Sequence, residues 1–138
     1  MRGWKDAGML TVLATPDPNK DKGEVLYNAH CATCHQGDGT GLPAHFPPLK
    51  GDEVVNAPDP ITLVRAILFG VKGVEIKGVK YEAQMPHFDR QLSDEEIAAI
   101  ATFTRSHWGN YGPKVNPAVV TEARKTPPAQ GPSDAPHP

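Results

Sequence analysis

Cysteine is nearly absent. Cys31 and Cys34 are the whole complement of a 138-residue chain, which excludes a multi-disulfide scaffold and a four-cysteine zinc site. Aromatic side chains are scarce, at 7%. Long hydrophobic runs are missing: the longest, Met9–Ala14 and Ala66–Phe69, fall far short of the roughly 20 apolar residues a membrane helix needs. Basic charge is not in excess. Fourteen Lys and Arg against sixteen Asp and Glu leave a net charge of −2, and no long basic run occurs, so the electrostatic footprint of nucleic-acid binding is lacking. The N-terminus carries no convincing secretory signal, because the apolar stretch after Met1-Arg2 is short and interrupted by Thr11. The expectation is a leader already removed, or a piece of a longer polypeptide.

What is abundant is proline and glycine, 15 and 13 residues, against roughly 12% of an average chain for the two together. A long sheet or an uninterrupted bundle is disfavoured, since proline removes a donor and breaks both. The 38% apolar content still suffices for one ordinary core and one domain.

Three zones follow along the chain. Residues 1–19 read as an irregular lead-in with Pro16 and Pro18. Residues 20–112 hold every periodic segment. Residues 113–138 read as an extension, and the five prolines of Thr126–Pro138 favour polyproline-like or disordered chain there. A first helix is expected over Asp21–Ala32, with Val25, Leu26 and Ala29 on one face. A second is expected over Asp59–Phe69, capped by Asp59, entered through Pro60 and stopped by Gly70, with Leu63, Ala66 and Ile67 inward. Ser93-Asp94-Glu95-Glu96 is a capping box that opens a third helix carrying Ile97, Ile100, Ala101, Phe103 and Thr104. Val74–Tyr81 alternates weakly around Gly78 as a short hairpin or loop. Residues 36–58 form a long Gly-, Pro- and Asp-rich connection, which in a compact domain needs something to wrap around.

The chemistry-bearing motif is Cys31-Ala32-Thr33-Cys34-His35, the C-x-x-C-H pattern of c-type haem attachment. Thiols at i and i+3 share one face of a helical turn and can add to the two vinyl groups of one porphyrin edge. His35 is then carried under the ring, where its imidazole can bind iron. A redox dithiol does not need the histidine, and a zinc site needs two more ligands; His30, His45 and His87 show no finger spacing. Fifty residues on stands Gln84-Met85-Pro86-His87-Phe88. Methionine sulfur is a soft donor suited to an iron that cycles between two states, and Pro86 stiffens the chain beside it. His87 and His45 are the competing donors, and a bis-histidine site stays open.

With these residues in place, the chain resembles the class I c-type cytochromes over about Asp21–Gly109. Gly23-Glu24-Val25-Leu26-Tyr27 is similar to that family's Gly-x-x-x-aromatic, where the glycine admits a close crossing by the last helix; Ile100 and Phe103 match the partners. Phe46-Pro47-Pro48-Leu49 resembles the loop whose proline carbonyl, here Pro47, accepts the Nδ1–H of the proximal histidine. The resemblance implies an all-α fold of three to five short helices and long loops around one covalent haem c, with His35 and Met85 as axial ligands. It further implies that Leu49, Leu63, Leu68, Val71 and Phe88 line the haem and that Tyr81 and Trp108 reach its propionates. Ala32, Thr33, Ala44, Phe46 and Pro86–Phe88 would form the exposed rim.

Six-coordinate iron leaves no site for a substrate, so the expected role is one-electron transfer rather than catalysis. Trp108-Gly109-Asn110 resembles cytochromes of periplasmic dehydrogenases, reductases and terminal oxidases. A subunit or domain of such a respiratory or dehydrogenase chain is therefore expected, with a free periplasmic carrier as the alternative. A peroxidase-like enzyme is the minor one, lacking distal acid–base residues. Expected partners are a dehydrogenase, reductase, quinol-oxidising complex or terminal oxidase. Membrane association would run through missing segments or partner subunits. The expected location is the periplasm or the outer face of a membrane.

Overall fold

The computed structural model describes residues 18–81 and 83–133. In chain order it has α1 (Pro18–His30), α2 (Ala32–His35), α3 (Ile61–Phe69), β1 (Val74–Ile76), β2 (Val79–Tyr81), α4 (Asp94–Ser106) and α5 (Pro117–Arg124). Helices carry the architecture, as expected; the strands form one small antiparallel hairpin with Val74 opposite Tyr81 and Ile76 opposite Val79. The lead-in lies outside the described residues except for its last two, which belong to the first turn of α1. No helix among the described residues is long and apolar enough to cross a membrane.

α1 starts at Pro18, where a missing N–H is harmless, and breaks at Cys31 instead of running to Ala32. Its inward face differs from the periodicity and is the one that the Gly23-x-x-x-Tyr27 resemblance implied. Val25 is 67% exposed and Ala29 is exposed, whereas Gly23 and Tyr27 are buried. The reason is the crossing with α4. A β-carbon on Gly23 would meet the Ala99 carbonyl oxygen, so Gly23 sets the contact point, and Tyr27 packs beside it on Phe103, ring centroids 5.2 Å apart. α4 opens with the expected capping box: the Glu96 amide donates to Ser93 Oγ at 3.1 Å, and the Ser93 amide to Glu96 Oε1 at 2.8 Å. Its Ile97, Ile100, Ala101, Phe103 and Thr104 are all buried.

α3 begins two residues into the expected span, at Ile61, whose amide donates to Asp59 Oδ1 at 3.0 Å. Leu63 and Ile67 face one way, Val64 and Leu68 the other, and all four are buried. The second burial exists because α3 is covered on both sides.

The cover comes from beyond residue 112, so the expected boundary is not where packing stops. Val115, Val120 and Ala123 belong to the same core cluster as Tyr27 and Ile97. α5 has the local chemistry of a helix: the Asn116 side chain accepts from the Ala118 amide at 2.9 Å, Pro117 follows, and Val120 and Ala123 fall at i and i+3. Arg124 fastens it, donating to the Leu92 carbonyl at 2.6 Å, to the Asp89 carbonyl and to the Asp94 carboxylate.

Between these layers the 36–58 connection is held by side-chain clamps. Asn110, buried at the end of α4, uses all its hydrogen-bonding capacity. Its Oδ1 accepts from the Gly51 amide (2.7 Å) and Asn56 Nδ2 (3.0 Å), and its Nδ2 donates to the Leu49 (3.0 Å) and Thr104 (2.7 Å) carbonyls.

Candidate functional site

Cys31-Ala32-Thr33-Cys34-His35 folds as a single turn hung on the end of α1. The Cys31 amide donates to the Tyr27 carbonyl at 2.8 Å, and the Cys31 carbonyl accepts from Cys34 and His35 at 3.2 and 2.9 Å. That turn puts both thiols on one face. No disulfide joins them. Burial, with Cys34 adding to it, pushes the Cys31 thiol up to about 12, and burial also raises the Cys34 thiol. Neither is a thiolate at neutral pH, which does not suit a redox dithiol. Among the described residues no cluster of three or more His, Cys, Asp or Glu side chains is placed to hold a metal ion.

His35 Nδ1 lies 2.9 Å from the Pro47 carbonyl oxygen, as the resemblance implied. A carbonyl only accepts, so Nδ1 carries the proton and the neutral imidazole keeps its lone pair on Nε2. Burial depresses the imidazole's pKa, partly offset by the Pro47 bond and the Asp52 charge. The loop that delivers Pro47 is tight. The Gly41 amide donates to the His35 carbonyl at 2.9 Å, and Leu42 and Phe46 exchange two backbone bonds of 2.8 and 2.9 Å. Gly41 has φ 67°, and a β-carbon there would stand 2.3 Å from the Phe46 oxygen. Only glycine fits that conformation and that space.

Met85 comes from the segment after the hairpin. Its amide donates to the Val71 carbonyl at 2.9 Å and its carbonyl accepts from the Val71 amide at 3.2 Å, while the Phe88 amide reaches the Ile67 carbonyl at 3.1 Å. Both segments face one cleft of about 280 Å³. Cys31, Cys34, His35, Phe46, Pro47 and Leu49 line one part of it, and Leu63, Val71, Met85 and Phe88 another. The lining is overwhelmingly apolar.

Some expected residues are elsewhere. Leu68 does not line the cleft; it is fully buried on the α3 face turned away from it. Tyr81 is buried in the hairpin, but the lining there comes from Val74 and Ile76. Trp108 gives its Nε1–H to the Gly37 carbonyl at 3.2 Å and packs tilted against Tyr27, ring centroids 5.2 Å apart, without itself lining the cleft. Phe88, placed on the rim by resemblance, is only 2% exposed. His87 turns to Asp89, Nδ1 to Oδ1 2.6 Å, and neither His87 nor His45 lines the cleft. Sequence reasoning missed Val55, Ile76 and Thr104 as lining. The alternation of Val74 and Ile76 was the available signal for the hairpin.

The family model described as cytochrome C oxidase, cbb3-type, subunit III matches residues 18–103, more than half of the chain. The chain belongs to this family of c-type cytochromes. It is 37% identical over 123 residues to the cytochrome c subunit of the quinone alcohol dehydrogenase of Gluconobacter oxydans, covering 88% of this cytochrome and 26% of that protein. It is 36% identical over 108 residues to the fructose dehydrogenase cytochrome subunit of Gluconobacter japonicus, covering 74% and 22%. With cytochrome c-552 of Thermus thermophilus it shares 41% over 92 residues, 64% of this cytochrome and 69% of that protein. The cytochrome thus spans about a quarter of the length of the dehydrogenase relatives. Membership brings haem c as the cofactor and electron transfer as the role. The donor set fits such a group: paired thiols, an imidazole with a free Nε2 and a thioether, on an apolar wall.

Proposed function

We propose that this cytochrome carries one haem, bound through thioether links to Cys31 and Cys34, with His35 and Met85 as axial ligands, and that it passes single electrons within a dehydrogenase or respiratory chain. The observation that carries the reading is that Cys31, Cys34, His35 and Met85, from two separate segments, line one apolar cleft. A bound haem supplies an iron that alternates between ferric and ferrous. The Pro47 carbonyl fixes the His35 ring and raises its basicity. The thioether and the apolar lining favour the less charged ferrous form and raise the potential. With His35 and Met85 both holding the iron, an electron would come and go with little rearrangement of the protein.

The dehydrogenase setting is supported by relatives named as cytochrome subunits of alcohol and fructose dehydrogenases. A diffusible carrier is the second reading, favoured by the fit to cytochrome c-552, of which this chain covers more than two thirds. Native size analysis of detergent extracts from the source separates the two. An extracytoplasmic compartment follows from covalent attachment at C-x-x-C-H, an export-coupled event in bacteria. Visible spectroscopy tests the ligands: the ferric protein is expected to show a weak far-red sulfur–iron band that Met85→Ala abolishes. Rapid carbon monoxide binding by the native ferrous protein would overturn the assignment.

A further inference from the structure

Residues 126–133 lie outside the region matched by the family model, yet they reach the Met85 segment. The contact point is Gly70, at the end of α3. A β-carbon built there would stand 2.4 Å from the Met85 carbonyl oxygen and 2.6 Å from Ser133 Cβ, so Met85 and Ser133 converge on the same bare Cα. Ser133 is 3% exposed. Its amide donates at 2.7 Å to the Phe69 carbonyl, one of the carbonyls the end of α3 leaves without an intrahelical partner. The other end of the segment is tied as well: Arg65 Nη1 donates to the Thr126 carbonyl at 2.6 Å and to its hydroxyl at 3.1 Å. Between the anchors lie Pro127, Pro128 and Pro132, with a turn closed by the Gly131 amide on the Pro128 carbonyl at 2.9 Å. Prolines restrict the free chain, so seating this segment costs little entropy.

We propose that residues 126–133 are a strap that seats the Met85 segment, with Ser133 as a positioning residue for the Met85 sulfur. The proposal rests on Met85 being an iron ligand. The Met85 backbone is held on one side by its paired bonds to Val71, and on the other its carbonyl lies over the bare Cα of Gly70, beside the seated Ser133. Releasing the strap frees the second restraint and raises the fraction of molecules in which the sulfur has left.

Imidazole binding to the ferric holoprotein measures that fraction, since an external ligand binds only the open form and its apparent affinity scales with the open population. Ser133→Pro removes the amide proton from the Phe69 bond. It is expected to tighten imidazole binding about tenfold, the equivalent of one ordinary hydrogen bond. Arg65→Gln loosens the other anchor and is expected to tighten binding a few-fold. A merely structural strap would lower the unfolding midpoint of both variants and leave imidazole affinity at the wild-type value; that result overturns the proposal. If Ser133→Pro fails to fold, Arg65→Gln decides alone by the same criterion. Met85→Ala separates the two readings. If it binds imidazole far more tightly while the strap variants do not, only the strap is wrong. If it keeps wild-type affinity and the far-red band, the ligand assignment itself fails.

Discussion

Gly23 and the Ala99 carbonyl share the crossing point of α1 and α4, and a β-carbon on Gly23 would stand 2.3 Å from that oxygen and 3.0 Å from Phe103 Cβ. The first of these is backbone and cannot rotate aside. Gly23→Ala must therefore push the helices apart at the place where Tyr27 meets Phe103. Overpacking of this kind costs about 1–3 kcal/mol. Thermal unfolding of the holoprotein is expected to shift down by several degrees. An unchanged midpoint would show that the crossing relaxes freely.

Gly41 acts on the site through Pro47. Gly41→Ala crowds the Phe46 oxygen and Pro47 and displaces the carbonyl that accepts from His35. Loss of that bond makes the imidazole a weaker donor. A weaker donor stabilises ferric iron less, so the midpoint potential is expected to rise. Potentiometric titration measures it; a fall, or no change with the variant folded, contradicts the role given to Pro47.

Much of this was legible in the sequence because it was encoded locally. The C-x-x-C-H turn, the Ser93 capping box and the twelve-residue step from His35 to Pro47 each depend on fixed spacing, and each stands where the spacing put it. The face of α1 was not legible in hydrophobic periodicity, and only the resemblance of Gly23-x-x-x-Tyr27 pointed to it. Val25 and Leu26 are more apolar than Gly23, but the crossing is decided by what is small, not by what is greasy. Leu68 illustrates a second limit. Its burial was readable, but which of two covered faces it occupies depended on α5, and the sequence of residues 113–138 reads as an extension with no helix.

The docking of α5 gives a pH prediction. The Asp94 carboxyl is held below its usual range by the Thr121 hydroxyl first and Arg124 second. A depressed carboxyl stabilises the fold above its unfolded pKa, about 3.9, and the contribution is lost as pH falls through the lower folded value. Asp94→Asn is expected to cost about 1 kcal/mol at neutral pH. The difference from wild type should stay constant from about pH 8 to 5 and close below about pH 4. Denaturant unfolding at several pH values checks this. A difference that widens in acid would reverse the sign and refute it.

Electron exchange at the cleft mouth is expected to depend weakly on salt. Of the residues that the resemblance places on the rim, Thr33 and Ala44 are exposed, Ala32, Phe46, Pro86 and His87 are half-buried, and none is a lysine. Lys50 is offset by Asp38, whose carboxyl is held low by Thr40 first and by Lys50 in addition. Such a rim steers neither sign of charge strongly. Oxidation of the ferrous protein by anionic ferricyanide and by a cationic cobalt complex, followed between about 0.01 and 0.15 M salt, spans the range over which screening shortens from about 30 to 8 Å. Both rates are expected to change by less than about threefold, since only a dense patch of one charge gives the steep slopes of steered encounters. A steep fall with the anion, matched by a rise with the cation, would reveal a positive docking ring that the rim residues do not supply.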